Sequence, residues 1–323
     1  MPSEFDLIRR HFQRPAPDGR VVLGVGDDAA LLAERGDRCL TVSSDTLLAG
    51  VHFLPEADPE RLGRKALAVN LSDLAAMGAR PLAFSLALSL PAPDEDWLTR
   101  FAAGLHAMAA EYDVPLIGGD TVRGPLALSL HILGERPCGG AGRRGDAQPG
   151  DDLYLSGTVG DAALGLELLR GRWQAPAPLR RHCLDRLETP TPRVALGQAV
   201  LPWVHALIDC SDGLAQDLGH VLVASGTGAT VDLTALPLSA AGRRWRAEGG
   251  DWETLLAGGD DYELLLTAPP GRRAVLAELA DACGVPLTRI GRLRAEPGLD
   301  WLDADGRPLA LAAAGFDHFR GAA

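Results

Sequence analysis

Lysine is nearly missing from this chain. Lys65 is the one lysine among 31 basic side chains, and the rest are arginine. That sharply limits mechanisms that need a catalytic lysine. Cysteine is sparse as well. Cys39, Cys138, Cys183, Cys210 and Cys283 lie far apart with no C-x-x-C pair. Such an odd, scattered set is expected to be reduced thiols rather than a disulfide framework or a zinc site. Long apolar runs are missing too. No stretch approaches the roughly 20 residues of a membrane span, and the first residues lack a secretory pattern. A soluble, cytoplasmic protein without a membrane partner is therefore expected. Excess positive charge is also absent: 31 basic groups face 43 acidic ones, for a net charge of −12. Basic runs do not exceed pairs such as Arg143-Arg144, so the cationic stripe of a nucleic-acid binder is excluded. The familiar nucleotide signatures are not there either. There is no G-x-x-x-x-G-K-[ST], no kinase lysine with H-R-D, and no Ser/His/Asp or Cys/His arrangement.

What is present is an ordinary globular balance over 323 residues, 46% apolar and 23% charged. The length suits two ordinary domains. The 38 glycines and 23 prolines are spread along the chain, which reads as many loops. Met1 to Phe12 reads as a helix capped by Ser3. Strands are expected at Val21–Val25, Cys39–Ser43, Leu82–Leu90, Val114–Ile117 and Leu126–Leu133. Helices are expected at Pro59–Ala79, with Asp58 as cap and Pro59 at its first position, and at Asp94–Tyr112. A glycine-rich, aperiodic stretch follows, and the alternation then resumes from Asp152 to the end. This divides the chain into residues 1–137, a linker at 138–148, and residues 149–323. The second part is expected to hold strands at Asp152–Ser156, Ala206–Ile208, Ala229–Leu233 and Tyr262–Thr267. Its helices are expected at Asp161–Leu169, Arg193–Val200, Gly213–Ala224 and Arg272–Cys283, with an exposed loop at Gly171–Pro178. The fold class is α/β (α+β) in two halves of similar size.

Aspartates recur at the expected element boundaries: Gly26-Asp27-Asp28, Ser43-Ser44-Asp45-Thr46, Asn70-Leu71-Ser72-Asp73, Gly118-Gly119-Asp120-Thr121, Asp209-Cys210-Ser211-Asp212-Gly213 and Gly258-Gly259-Asp260-Asp261. Any one of these is most simply a turn former or helix cap. The collection points further. Asp45 and Asp120 are expected to end strands, and Asp209 and Asp212 to flank a strand-to-helix turn, where α/β proteins build their sites. Converging carboxylates repel by roughly 4 kcal/mol per pair at 4 Å and an effective dielectric near 20. With few cations nearby in sequence, hard divalent ions such as magnesium are the natural compensation. Asp73 falls in the middle of an apolar helix, where aspartate is a poor choice. Asn70 lies three residues before it and shares its face. The pair reads as part of a site, with a satisfied core pair as the alternative. His52 follows a strand-end loop, and a lone histidine there is more often a surface or core residue than a ligand.

Taken in order, these motifs resemble the thiamine-monophosphate kinase family. The likeness runs along nearly the whole chain. It includes Gly26 to Ala30, Asp45 with Gly50-Val51-His52-Phe53, Ala68 to Ala79, Gly118 to Thr121, Pro149 to Asp151, Ile208 to Leu214, Gly258 to Leu264 and Gly315 to Phe319. The resemblance implies the two-domain fold of aminoimidazole-ribonucleotide synthetase, with the N-terminal domains of two subunits pairing into a β-barrel and a C-terminal α/β domain. It implies a homodimer that transfers the ATP γ-phosphoryl group to thiamine monophosphate. It assigns several Mg2+ ions to Asp28, Ser43, Ser44, Asp45, Asp73, Asp120, Asp209 and Asp212, with Asp45, Asp73, Asp120 and Asp212 carrying the catalysis. It assigns ATP to Gly119, Asp120, Arg144 (Arg143 being the alternative) and Ser211, and the thiamine phosphate to His52, Asp260 and Phe316. The chain departs from the family in having Asp260 where glutamate is usual and Phe316 where tryptophan or tyrosine is frequent. Two other readings use the same residues: a different ATP-dependent synthetase of the superfamily, and a non-catalytic divalent-cation-binding protein.

Overall fold

The computed structural model of the protein describes residues 21–23, 27, 29–33, 36–139, 142–311 and 315. The expected N-terminal helix, Asp28 and Phe316 lie outside the described residues.

Two sheets organise the described residues. The first contains β1 (Val21–Leu23), β2 (Ala30–Ala33), β3 (Arg38–Leu48), β4 (Arg80–Leu90), β5 (Leu116–Arg123) and β6 (Ala127–Pro137), in the order β1-β2-β3-β6-β4-β5. Its neighbours are antiparallel except β4 and β5. The parallel pair needs a crossover, which helix α2 (Glu95–Glu111) supplies. Helix α1 (Pro59–Ala76) joins β3 to β4. Asp58 caps α1 by accepting from the backbone N–H groups of Glu60 and Arg61, and Pro59 follows at the first helical position.

The second sheet contains β7 (Asp152–Ser156), β8 (Ala206–Asp209), β9 (Gly228–Asp232), β10 (Leu264–Ala268), β11 (Leu287–Arg294), β12 (Gly298–Leu302) and β13 (Pro308–Leu309). Its order is β13-β12-β9-β11-β7-β10-β8. Around it lie α3 (Asp161–Leu169), α4 (Ala177–Glu188), α5 (Val194–Val200), α6 (Leu214–Ser225), α7 (Ala240–Ala247), α8 (Trp252–Ala257) and α9 (Arg273–Cys283).

Helix α1 holds the two halves together. Thirteen of its 18 residues are buried. It packs on β3, β6 and α2 on one side and on α5 and β8 on the other. The main hydrophobic core accordingly runs through both halves, from Leu67, Leu71 and Ile132 to Val200, Leu207 and Leu264. At the α1–α2 crossing the backbones nearly touch. A Cβ on Gly63 would fall 2.1 Å from the Phe101 carbonyl oxygen, and one on Gly104 would fall 1.9 Å from that of Glu60.

Several expectations need correction. Asp45 and Asp120 do not end strands. Pairing of β3 with β6 continues to Leu48, and pairing of β5 with β4 continues to Arg123, so both aspartates lie within strands. The strand expected from Tyr262 begins at Leu264, because Tyr262 is held at φ 50°. The loop expected at Gly171–Pro178 stops short, because α4 begins at Ala177 with Pro176 before it; sequence reading passed over this helix, as it did β2, α7 and α8. The cysteines are not all reduced. Cys39 and Cys138 form a disulfide across a sequence separation of 99. Antiparallel pairing of Arg38 with Pro137 brings both to the same end of the β3–β6 ladder. Cys183, Cys210 and Cys283 are free thiols. Among the described residues, no helix is long and apolar enough to cross a membrane.

Candidate active site

A cleft of about 1140 Å³ opens where the two halves meet. Asp45 of β3, Asp73 of α1, Asp209 at the end of β8, and Ser211 and Asp212 in the turn before α6 all line it. So do Ser44, His52 and Asp260. Residues from four separate stretches of sequence thus form one acidic surface. The strand-to-helix turn after β8 is where sequence reading placed it.

The carboxylates are anchored from behind. Ser43 Oγ donates to Asp73 Oδ2 in a short bond. The next residue of the helix, Ser72, donates to Asp209 Oδ2 at 2.6 Å. The consecutive pair Ser72-Asp73 therefore ties α1 to β3 on one side and to β8 on the other. Asp73 sits in an apolar helix because that helix is wrapped by both halves. Asn70 does not share its role: it is fully buried, donates Nδ2 to the Ala66 carbonyl at 3.0 Å, and does not line the cleft. In the Asp209–Asp212 turn, the Asp212 N–H donates to Asp217 Oδ2 at 3.1 Å and Gln216 Nε2 donates to Asp212 Oδ2 at 3.1 Å. Ligand atoms of Asp212, Asp217 and His220 all lie within 4.8 Å of one another. Burial, reinforced by the charges of Asp217, Asp261 and Asp209, pushes the Cys210 thiol well above its usual range.

The Gly258–Tyr262 loop lies against that turn. The Asp260 N–H donates to the Ser211 carbonyl and the Tyr262 N–H to the Cys210 carbonyl, each at 2.8 Å. Gly259, Asp260 and Tyr262 all have positive φ, at 68°, 63° and 50°. A Cβ on Gly259 would fall 2.6 Å from the Ser211 carbonyl oxygen, so glycine is required by space as well as by φ. Asp260 Oδ2 accepts from Lys65 Nζ at 2.9 Å and Oδ1 from the Tyr262 hydroxyl at 2.9 Å. Behind the loop, burial pushes the Asp261 carboxyl up to about 8, against the pull of the Gly160 N–H and the Arg186 guanidinium. Glu263, 1% exposed, accepts from Ser156, Arg186 and Arg193.

His52 lines the cleft and accepts at Nδ1 from the Leu48 N–H at 3.0 Å. Ser43 is buried behind the cleft rather than in its lining. Two further expected residues lie elsewhere. Gly119 and Asp120 are on β5, whose eight residues are all exposed. Asp120 is in register with Ala87, Ala87 with Ser129, and Ser129 with Thr46. Three strand spacings, about 14 Å, therefore separate it from β3. Arg144 is not in the cleft lining either: its N–H donates to Asp27 Oδ2 at 3.2 Å and its Nε lies 3.8 Å from Oδ1. Sequence reading missed Lys65, Tyr262, Asp217 and His220. For Lys65 the signal was available, since it is a lone lysine on the apolar stretch that carries Asp73.

Residues 26–135 match AIR synthase related protein, N-terminal domain, and residues 148–301 match the C-terminal domain of the same family. Thiamine-monophosphate kinase of Salmonella typhimurium is 48% identical over 320 residues, covering 98% of each chain. The crystal structure of thiamine-monophosphate kinase from Stenotrophomonas maltophilia superposes with a TM-score of 0.79 at 46% identity, covering 95% of this chain and 98% of that one. AaThiL complexed with AMPPCP and TMP superposes with a TM-score of 0.84 at 30% identity, covering 98% of this chain and 97% of that one. This chain belongs to the AIR synthase related family and, within it, to the thiamine-monophosphate kinases.

Proposed function

We propose that the protein transfers the γ-phosphoryl group of ATP to thiamine monophosphate and releases thiamine diphosphate. The observation that carries this is the convergence of Asp45, Asp73, Asp209 and Asp212 on one cleft between the halves. The donor set fits magnesium, because all four offer hard carboxylate oxygens, with Ser43 bonded to one of them. Asp45, Asp73, Asp209 and Asp212 would hold the ions, with Ser43, Ser44 and Asp28 completing the set. When bound, magnesium supplies charge neutralisation between the acidic wall and the polyphosphate.

The acceptor needs no general base. A phosphate monoester loses its second proton near pH 6, so the attacking oxygen is already anionic at neutral pH. The protein's task is to align two polyanions and exclude competing water. Ser211 serves ATP, while His52, Asp260 and Phe316 serve the thiamine phosphate.

Gly119, Asp120 and Arg144 are assigned to ATP, and Asp120 also to metal and catalysis. Their reading goes with a homodimer whose first halves pair into a barrel. What supports it is β5: an exposed edge strand carrying Leu116, Ile117 and Val122, at 38%, 63% and 52% exposure. Unpaired apolar edges seek a partner. Pairing there would put Gly119 and Asp120 at an interface between copies. We take residues 1–137 and 149–323 as the two domains, 138–148 as the linker, and the cytoplasm as the compartment.

Release of ADP together with thiamine diphosphate tests the reading. The assay compares thiamine monophosphate, thiamine and an aminoimidazole precursor, each with and without magnesium. Turnover confined to thiamine monophosphate with magnesium is expected. Turnover with the aminoimidazole precursor alone, or with none of the three, overturns it.

A further inference from the structure

Lys65 is the only lysine in the chain, and the fold hides it. Its side chain is 5% exposed. On α1 it precedes Val69 and Asp73 at four-residue intervals, and all three line the cleft. An ammonium withdrawn from water needs a partner. The arginines lining the same cleft find theirs on the rim: Arg61 bonds Asp185 and Glu188, and Arg170 faces Glu167 at 3.8 Å. Lys65 instead reaches into the other half of the chain, where Asp260 accepts at 2.9 Å.

Asp260 is presented by a loop that holds it in place. Its left-handed backbone is disfavoured for a side-chain-bearing residue. Its N–H bond to Ser211 and that of Tyr262 to Cys210 fix the loop against the Asp209–Asp212 turn. Lys65 takes one carboxylate oxygen and the Tyr262 hydroxyl the other. The two partners differ in access. The Asp260 side chain is 31% exposed and that of Lys65 only 5%. The acid can meet a ligand, whereas the ammonium acts on the acid. Along α1, Lys65 stands about 12 Å from Asp73, two turns away. Lys65 is thus set back from Asp73, and it meets the Asp260 carboxylate beside the Asp209–Asp212 turn, to which the Asp260 N–H is bonded through the Ser211 carbonyl. The 31% exposed Asp260 carboxylate suits the ring end of the acceptor, where a cationic thiazolium and an amino-bearing pyrimidine both complement a carboxylate.

We propose that Lys65 is a positioning residue for thiamine monophosphate. Its ammonium fixes the Asp260 carboxylate across the junction of the two halves, so that the acid receives the ring end of the acceptor. This rests on the kinase reading above.

Steady-state kinetics on the full-length protein test it. Lys65→Met is expected to raise KM for thiamine monophosphate about tenfold while KM for ATP stays within about twofold. Met fills the same wall, and the partly exposed Asp260 is left to water. In an Asp260→Asn background, Lys65→Met should add little, because the residue it serves is already gone. Single effects that multiply in the double variant overturn the proposal, as does an unchanged KM for thiamine monophosphate in Lys65→Met. A wild-type protein that does not phosphorylate thiamine monophosphate instead defeats the kinase reading, and this proposal with it. A second measurement needs no variant. Uniform 15N-lysine labelling gives a single ammonium resonance, which should shift on adding thiamine monophosphate and not on adding a non-hydrolysable ATP analogue. A shift with the analogue alone, or with neither ligand, overturns the proposal.

Discussion

Ser72 donates its hydroxyl to Asp209 at 2.6 Å, joining the central helix of the first half to a strand end of the second. The neighbouring Asp73 accepts from Ser43 of β3. Two consecutive residues of one helix thus set the spacing of carboxylates that belong to opposite halves. Because these side chains are braced by hydroxyls and helix packing, removing a carboxylate from the cleft should spare the fold.

Asp45→Ala and Asp73→Ala are therefore expected to fold normally and lose at least about 100-fold in turnover, the scale of removing a group that stabilises transition-state charge. Circular dichroism and thermal melting check the fold, and ADP release checks the rate. Chelation of the wild type should abolish turnover, and added magnesium should restore it. A soluble variant of either kind with a near-normal rate at saturating magnesium would defeat the assignment.

Glu263 behaves differently, because it is structural. Its carboxylate is 1% exposed and joins β7 through Ser156, α4 through Arg186 and the start of α5 through Arg193. Nothing bulkier than hydrogen fits opposite, since a Cβ on Gly157 would fall 2.2 Å from Glu263 Oε1. Glu263→Gln keeps the shape but leaves two half-buried guanidinium groups without their counter-charge. Breaking a buried ion network in this way costs about 3 kcal/mol. Urea unfolding measures it, and a loss below about 1 kcal/mol would show the network to be dispensable.

Asp261 makes stability fall with pH. In the unfolded chain its carboxyl ionises near pH 4, whereas in the folded chain burial pushes it up to about 8. Between those values the folded state holds a proton that the unfolded state has released, so rising pH favours unfolding. Oδ2 accepts from the Gly160 N–H at 2.8 Å, and Oδ1 has no partner among the described residues. Asp261→Asn keeps the first contact and removes the ionisation. Its stability relative to the wild type is expected to rise steadily from pH 5 to pH 8, as read by urea midpoints at each pH. A difference that stays constant across that window would mean Asp261 does not titrate there.

Local chemistry was legible in the sequence where it decided the outcome alone. Asp58-Pro59 announces the start of α1, and Asp209 to Gly213 announces a strand-to-helix turn, because caps, prolines and glycines act within a few residues. The aspartates of the cleft were legible as a set for the same reason. What long-range packing decides was not. Asp45 looks like a strand end until its pairing with Leu130 is known. Asn70 and Asp73 look alike on a helical face until the packing buries Asn70 completely and leaves Asp73 on the cleft. Asp120 reads as a cleft residue until the strand order puts β5 at the edge. Lys65 and Asp260 are 195 residues apart, and no local pattern joins them.

The cysteines carry the same lesson into a measurement. Cys39 and Cys138 are distant in sequence, yet the β3–β6 ladder brings their Cα atoms to 5.0 Å. Closing so long a loop restricts the unfolded chain, and loss of such a bond costs about 2–4 kcal/mol. Thiol titration in denaturant should therefore find three thiols per chain before reduction, those of Cys183, Cys210 and Cys283, and all five afterwards. Cys39→Ala should lower the melting temperature of the unreduced protein and leave that of the reduced protein nearly unchanged. Five titratable thiols without reductant would mean that the ladder holds the two sulfurs together without a bond, and the stability difference between the two redox states should then vanish.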